Sequence, residues 1–240
     1  MSDYIFPPAD TASLAIVGES HRFPLRRVFC IGRNYGWASG GIGGTGAANN
    51  AEDTPRDPPV FFMKPADAVV PAVGNIPYPP LTHDFCHEIE LVVAIGKDGT
   101  HIAPEDALAH VWGYAAGLDL TRRVLQAEAK QRGQPWEGAK AFDASAPCSA
   151  LVPVATTGHP QTGAVWLNVN GQARQRADLA DLIWPVKDLI SFLSHSVALK
   201  AGDLIFTGTP SGVAALVPGD VVTGGVDGVS QFSVTVVGLN

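Results

Sequence analysis

His87-Glu88-Ile89-Glu90-Leu91-Val92-Val93-Ala94-Ile95-Gly96 sets two carboxylates inside an otherwise apolar run. In an extended strand side chains alternate between faces, so Ile89, Leu91, Val93 and Ile95 share one side while Glu88 and Glu90 share the other. The apolar side builds core. Glutamate is disfavoured in strands and like charges on one face repel, so the pair calls either for a cation or another compensating charge, or for a strand with one face in water.

A third acid bears on that choice. In Trp112-Gly113-Tyr114-Ala115-Ala116-Gly117-Leu118-Asp119-Leu120-Thr121-Arg122-Arg123 a run of small and apolar residues ends at Asp119, and Thr121 reads as the cap of a helix running through Lys130. An acid at the end of a buried strand is costly unless it is paired or binds metal. Two glutamates from one strand and an aspartate from another form an all-oxygen set, which suits Mg²⁺ or Mn²⁺ better than zinc, and no His or Cys cluster competes with it.

With 240 residues the chain can bury a substantial core as a single catalytic domain over 1–240, leaving room for a small N-terminal lobe over about 1–60. A net charge of -7 and the lack of any Lys/Arg cluster argue against a nucleic-acid partner. Cys30, Cys86 and Cys148 are odd in number and widely spaced, which reads as reduced thiols in a cytoplasmic protein, with Cys86 a small buried filler. The start Met1-Ser2-Asp3-Tyr4-Ile5-Phe6-Pro7-Pro8 has no basic, apolar leader pattern, and no later stretch reaches the ~20 residues of a membrane span.

The 26 Gly and 19 Pro cut the sequence into strand-sized apolar pieces, which predicts a mainly β architecture of α+β type with a few short helices. Strands are expected at Val28 to Gly32, Val60 to Met63, Ile89 to Ile95, Val165 to Val169, Asp203 to Phe206, Val221 to Val222 and Phe232 to Val237. Helices are expected at Pro104 to Ala109, Thr121 to Gln131 and Val186 to Ser194. Gly202-Asp203 and Gly219-Asp220 each form a turn that feeds a strand. The Gly-rich stretch within 36–55 lacks periodicity and reads as a mobile lid loop; its Gly41-Ile42-Gly43-Gly44-Thr45-Gly46 has the letters of a dinucleotide motif without the strand before it or the helix opening within it.

Ile31-Gly32-Arg33-Asn34-Tyr35, Phe61-Phe62-Met63-Lys64-Pro65-Ala66-Asp67, His87-Glu88-Ile89-Glu90-Leu91, Gly117-Leu118-Asp119-Leu120-Thr121, Ala139-Lys140-Ala141-Phe142-Asp143 and Ile205-Phe206-Thr207-Gly208-Thr209-Pro210 together resemble the fumarylacetoacetate hydrolase family, in order and over nearly the whole chain. Within it the sequence is most similar to bacterial acylpyruvate hydrolases of gentisate degradation. The resemblance implies a mixed β-sandwich or β-roll, usually a homodimer, acting on a small 2-oxo acid. It implies Mg²⁺ or Mn²⁺ on Glu88, Glu90 and Asp119, a substrate site lined by Arg123, Gln126 and Lys140, and Thr209 near the substrate carboxylate. Arg123 and Gln126, three apart on one helix, share a face. Lys140 alone would read as a solvated surface lysine, and Lys64 and Arg33 read as structural. The implied chemistry is hydrolysis of the C–C bond of an acylpyruvate such as fumarylpyruvate, with pyruvate leaving as a metal-bound enolate whose charge Lys140 and Arg123 stabilise.

One part of the family pattern is missing. Relatives carry a His and a Glu on the lid to deprotonate the attacking water, and counting from Asn34-Tyr35 finds Ala38 and Gly41 there; counting back from Arg56 finds Gly46 and Asn49, and no histidine lies between His21 and His83. Such a base contributes ~10² to 10⁴-fold. Either another group serves (His87, His83, His21, Glu52 or Asp53), or the site performs oxaloacetate decarboxylation or keto-enol isomerisation without an attacking water, or the chain binds a keto acid without turning it over.

Overall fold

The computed structural model describes residues 4–36 and 57–238. The readings placed on Ala38, Gly41, Glu52, Asp53 and the Gly41-to-Gly46 motif fall outside these residues.

Strand Ile89–Ile95 lies at the centre of the molecule, between Leu204–Phe206 and Val111–Leu118, all antiparallel to it. The larger sheet continues outward through Val28–Gly32 to Val60–Lys64 on one side, and through Ala146–Cys148 to Val69–Pro71 on the other. A second sheet runs in the order Gln172–Asp178, Ala164–Val169, Val221–Val226, Ser230–Val237 and Val73–Pro77. Thr121–Arg122, Phe85–Cys86 and Ala215–Leu216 form a short third sheet.

The central strand has no wet face. Ile89, Leu91, Val93 and Ile95 enter a core cluster with Val165, Leu167, Val222 and Val234 of the second sheet and with Leu189, Ile190 and Leu193 of helix Val186–Ser196. Val92 and Ala94, on the other side, enter a separate cluster with Val28, Ala115, Leu204 and Phe206, to which the hairpin Ser13–Ala15/Arg22–Pro24 adds Leu14 and Phe23. Full burial of each Ile, Leu or Val is worth about 1.5–3 kcal/mol, so this strand is strongly fixed in register. The half-solvated alternative is thereby overturned: Glu90 is 1% exposed.

Close packing explains the small residues of Val111–Leu118. A Cβ on Gly117 would come within 2.8 Å of Phe206 and of Val92, so glycine lets this strand lie flat against its neighbours and bring Asp119 beside Glu88, whose carbonyl accepts the Asp119 N–H at 2.9 Å.

Most expected strands are present, several with extended ends, such as Val221–Val226 and Ser230–Val237. The polar strand Gln172–Asp178 was not expected, because only Gln175 is buried along it. It is set by the turn Asn170-Gly171, both at positive φ (52° and 75°), the conformation that matches strand twist in tight hairpins. The expected helix at Pro104 to Ala109 is a short 3₁₀ turn, Ala107–His110. The expected helix from Thr121 starts at Arg123 and ends at Arg132; Thr121 does not cap it, since it lies in strand Thr121–Arg122 and its hydroxyl donates to Glu88. Cys30, Cys86 and Cys148 are free and buried.

Candidate metal centre

Glu88, Glu90 and Asp119 converge, with one ligand atom of each within 4.8 Å of the others. Strand alternation brings Glu88 and Glu90 to one side, and the neighbouring strand ends at the right level to add Asp119. Two buried lysines complete the cluster. Lys140 donates to Glu88 Oε2 at 2.9 Å and to Asp119 Oδ2 at 2.7 Å. Lys64 Nζ stands 2.9 Å from Asp119 Oδ1 as an ion pair, while its protons go to the carbonyls of Leu120 and Lys140, so Asp119 Oδ1 receives no directed hydrogen bond. Glu90 Oε2 accepts the Gly208 N–H at 2.7 Å, and the Thr121 hydroxyl donates to Glu88 Oε1 at 2.9 Å.

Gly208 can turn its N–H inward because it sits at φ 102°, and a Cβ there would come within 2.7 Å of Asn34. Asn34 holds this turn: its amide donates to the carbonyls of Thr207 (2.8 Å) and Trp184 (3.0 Å), and its oxygen accepts the Trp184 N–H at 2.7 Å. The Gly-Arg-Asn-Tyr and Thr-Gly-Thr-Pro segments are thus one structural unit behind Glu90.

The charges do not cancel. Three carboxylates face two ammoniums, a net -1 in a buried site. Burial, then Asp119 and Glu88, push the Glu90 pKa well above its ordinary value, against the pull of Gly208 and Lys140. For Asp119 burial acts in the same direction but Lys140 and Lys64 outweigh it, leaving the pKa below the usual aspartate value. For Lys140 burial opposes the charge, and Asp119 and Glu88 more than restore it. An Asp119 oxygen held by the Lys64 ion pair alone, with no hydrogen bond, and a destabilised Glu90 carboxylate fit an all-oxygen site for a hard divalent cation, which would turn the net charge to +1.

Of the residues tied to the substrate by sequence, Lys140 is buried at the centre rather than solvated. Arg123 and Gln126 lie half-buried on the first turns of helix Arg123–Arg132, and among the described residues neither hydrogen-bonds the acids. The Thr209 hydroxyl donates to the Ile89 carbonyl and accepts from Gln175 Nε2, both at 2.8 Å. Gln175 Oε1 also meets His87 Nδ1 at 2.8 Å. His87 is buried on the opposite side from Glu88, as alternation requires, so it does not face the acids; His21 and His83 are exposed on connecting turns. Sequence reasoning missed Lys64 and Thr121 as members of the site. The signal for Lys64 was present, a lysine ending the apolar strand Val60–Lys64.

A fold with this buried triad and two internal lysines is that of a divalent-metal-dependent hydrolase. The chain belongs to the fumarylacetoacetate hydrolase family, whose C-terminal domain description matches residues 27–237. It is 43% identical over 176 residues to a fumarylpyruvate hydrolase from Ralstonia sp, covering 73% of this chain and 91% of that one. It is 40% identical over 207 residues to an oxaloacetate tautomerase from Escherichia coli, covering 86% and 90%. The crystal structure of fumarylpyruvate hydrolase from Pseudomonas aeruginosa in complex with Mn²⁺ and pyruvate superposes with a TM-score of 0.90 at 47% identity, covering 99% of this chain and 100% of that one. No helix among the described residues is long and apolar enough to cross a membrane.

Proposed function

We propose that this enzyme hydrolyses the C3–C4 bond of an acylpyruvate such as fumarylpyruvate, giving pyruvate and a carboxylic acid. The observation that carries the reading is Lys140, buried and bonded to two of the three acids. A divalent cation on Glu88, Glu90 and Asp119 would supply a Lewis acid where the carboxylate and 2-keto oxygens of a 2,4-dioxo acid meet. Lys140, fixed beside that point and held charged, stabilises the negative charge that grows on the 2-keto oxygen as the C3–C4 bond breaks. Lys64 keeps Asp119 ionised and oriented. Arg123 and Gln126, on the helix that follows Asp119, orient the substrate. For Thr209 to bind the substrate carboxylate its hydroxyl proton must leave the Ile89 carbonyl. The same reading makes the enzyme a cytoplasmic homodimer of aromatic degradation through gentisate.

A second reading, keto-enol isomerisation or decarboxylation of oxaloacetate, is favoured by one observation, the Ala38 and Gly41 found where relatives carry a proton-accepting pair. It uses the same cation and Lys140 and needs no attacking water. Product assays on fumarylpyruvate, acetylpyruvate and oxaloacetate with Mg²⁺ or Mn²⁺ separate the two. Release of pyruvate from fumarylpyruvate supports hydrolysis; turnover of oxaloacetate alone rejects it.

A further inference from the structure

We propose that Gln175 is a positioning residue for the substrate: its side-chain amide holds the Thr209 hydroxyl oxygen in place while the hydroxyl proton turns from the Ile89 carbonyl to the substrate carboxylate. This rests on the reading of Thr209 as the residue that binds the carboxylate of a 2-oxo acid, and adds the group that lets it act.

Strand Gln172–Asp178 is polar, and along it only Gln175 is buried, at 1% exposed. A bulge turns that one residue inward. Leu167 on the neighbouring strand faces Gln175 whereas Asn168 faces Ala173, so Arg174 is an extra residue in the ladder. In unbroken register Arg174 would oppose the buried Leu167 and share its inward face; the insertion sends Arg174 to solvent and puts Gln175 in its place. The segment that follows Thr209-Pro210 lies against this bulge, since a Cβ on Gly212 would collide with the Arg174 carbonyl.

Every hydrogen-bonding position of the Gln175 amide is used. Oε1 accepts the Ile89 N–H at 3.2 Å and meets His87 Nδ1 at 2.8 Å, while Nε2 donates to the Pro210 carbonyl and to Thr209 Oγ1, both at 2.8 Å. The backbone groups fix which way round the amide sits: a peptide N–H can only donate and a carbonyl can only accept, so the NH₂ edge must face Thr209. Thr209 Oγ1 therefore accepts from Gln175 and keeps its single proton for a partner elsewhere. At rest that partner is the carbonyl of Ile89, the residue between the two glutamates, at 2.8 Å. Thr209 is only partly buried, and the N–H of the adjoining Gly208 binds Glu90, so the hydroxyl stands at the edge of the metal centre.

If the Ile89 bond alone held the hydroxyl, turning the proton to a ligand would release the oxygen and leave the side chain to rotate, at a cost in entropy. With Gln175 the oxygen keeps one bond throughout, and the N–H donated to it polarises the hydroxyl into a better donor. A mere tie between loop and strand would not need this contact, because the bonds to Ile89 and Pro210 already join the two segments.

The test is a double-variant cycle of wild type, Gln175→Met, Thr209→Val and the two combined, read by calorimetric titration of pyruvate into the Mn²⁺-loaded enzyme. Thr209→Val should weaken pyruvate binding by about 10-fold or more, the size of a lost hydrogen bond to a carboxylate. Gln175→Met should weaken it by about 3- to 10-fold alone but by less than about twofold when added to Thr209→Val, because the amide acts through the hydroxyl. Mn²⁺ affinity should stay within about twofold in all four proteins, and with fumarylpyruvate the Gln175→Met loss should fall on KM rather than kcat. Should methionine prevent folding, Gln175→Glu keeps the acceptor for Ile89 and His87; its charge repels pyruvate in both the wild-type and the Thr209→Val background, so the cycle still isolates the part carried by Thr209. Equal losses in the two backgrounds, or no loss from Thr209→Val, overturn the proposal while leaving the acylpyruvate reading intact. Failure to release pyruvate from fumarylpyruvate, with the binding cycle as expected, overturns the hydrolase reading and supports the role of Gln175.

Discussion

Replacing Lys140 with Met should make the enzyme bind its metal more tightly and work less well. Lys140 is 1% exposed and bonds Glu88 and Asp119 at 2.9 and 2.7 Å. Without a cation, removing it leaves a net -2 among three acids and Lys64, and breaking such a buried pair costs ~3–5 kcal/mol. In a chain of this size a kcal/mol moves Tm by about 2–4 °C, so the metal-free variant should melt roughly 6–20 °C lower than wild type. With a cation the sign reverses. The metal sits ~2.1 Å from a carboxylate oxygen, and if that oxygen is the one receiving Lys140 the two cations stand no more than about 5 Å apart. At an effective dielectric constant of ~20 their repulsion is about 7 kcal/mol, of which only ~1.4 kcal/mol need survive relaxation to tighten Mn²⁺ tenfold. Calorimetric titration should therefore show at least about tenfold tighter Mn²⁺ binding and a larger metal-induced rise in Tm, while kcat falls by roughly 10²–10³ for want of the ammonium at the developing charge. Mn²⁺ binding that is weaker than in wild type would show that Lys140 shapes the acid triad more than it repels the metal, and the electrostatic account would be wrong.

Glu88→Ala, Glu90→Ala and Asp119→Ala should each release the cation and end turnover, and undiminished Mn²⁺ binding in all three would remove the metal centre from the scheme. Because burial and the neighbouring acids raise the Glu90 pKa in the metal-free protein, protons and metal compete there: affinity should weaken as pH falls through that raised value. Binding heats measured at one pH in buffers of different ionisation enthalpy should then report proton release. By the same linkage the metal-free fold, which holds the Glu90 proton more tightly than the unfolded chain does, should gain stability as pH falls through this window. Oxalate, a planar mimic of the pyruvate enolate, should compete with substrate only when metal is present; equally tight binding in chelator-treated protein refutes that geometry. Ala38→His with Gly41→Glu should raise acylpyruvate hydrolysis by up to ~10²-fold without a matching change in oxaloacetate tautomerisation. Native hydrolysis already as fast as in relatives bearing the pair would mean that a substitute base operates.

Local pattern was enough to bring the three acids of the candidate metal centre to one point. Glu88 and Glu90 two apart in an apolar strand fix a shared side whatever the tertiary structure, and a run of small residues ending at Asp119 marks a buried strand end, because period-two alternation and close packing are properties of the strand itself. The Asn170-Gly171 turn is a local signal of the same kind, but the strand it starts is polar and carries no apolar alternation to mark it. What required the folded chain were contacts between residues far apart in sequence. Lys64 and Lys140, 76 positions apart, meet at Asp119. Alternation cannot say whether the face opposite Ile89 meets water or a second layer of core, and packing on both sides decided it. Thr121 carries the chemistry of a helix cap, yet its hydroxyl goes to Glu88, a buried charged acceptor that outbids a helix end. A sequence states which groups can ionise and which face each occupies; the surrounding desolvation and opposing charges, which set the protonation of Glu90 and Lys140, exist only once the strands are brought together.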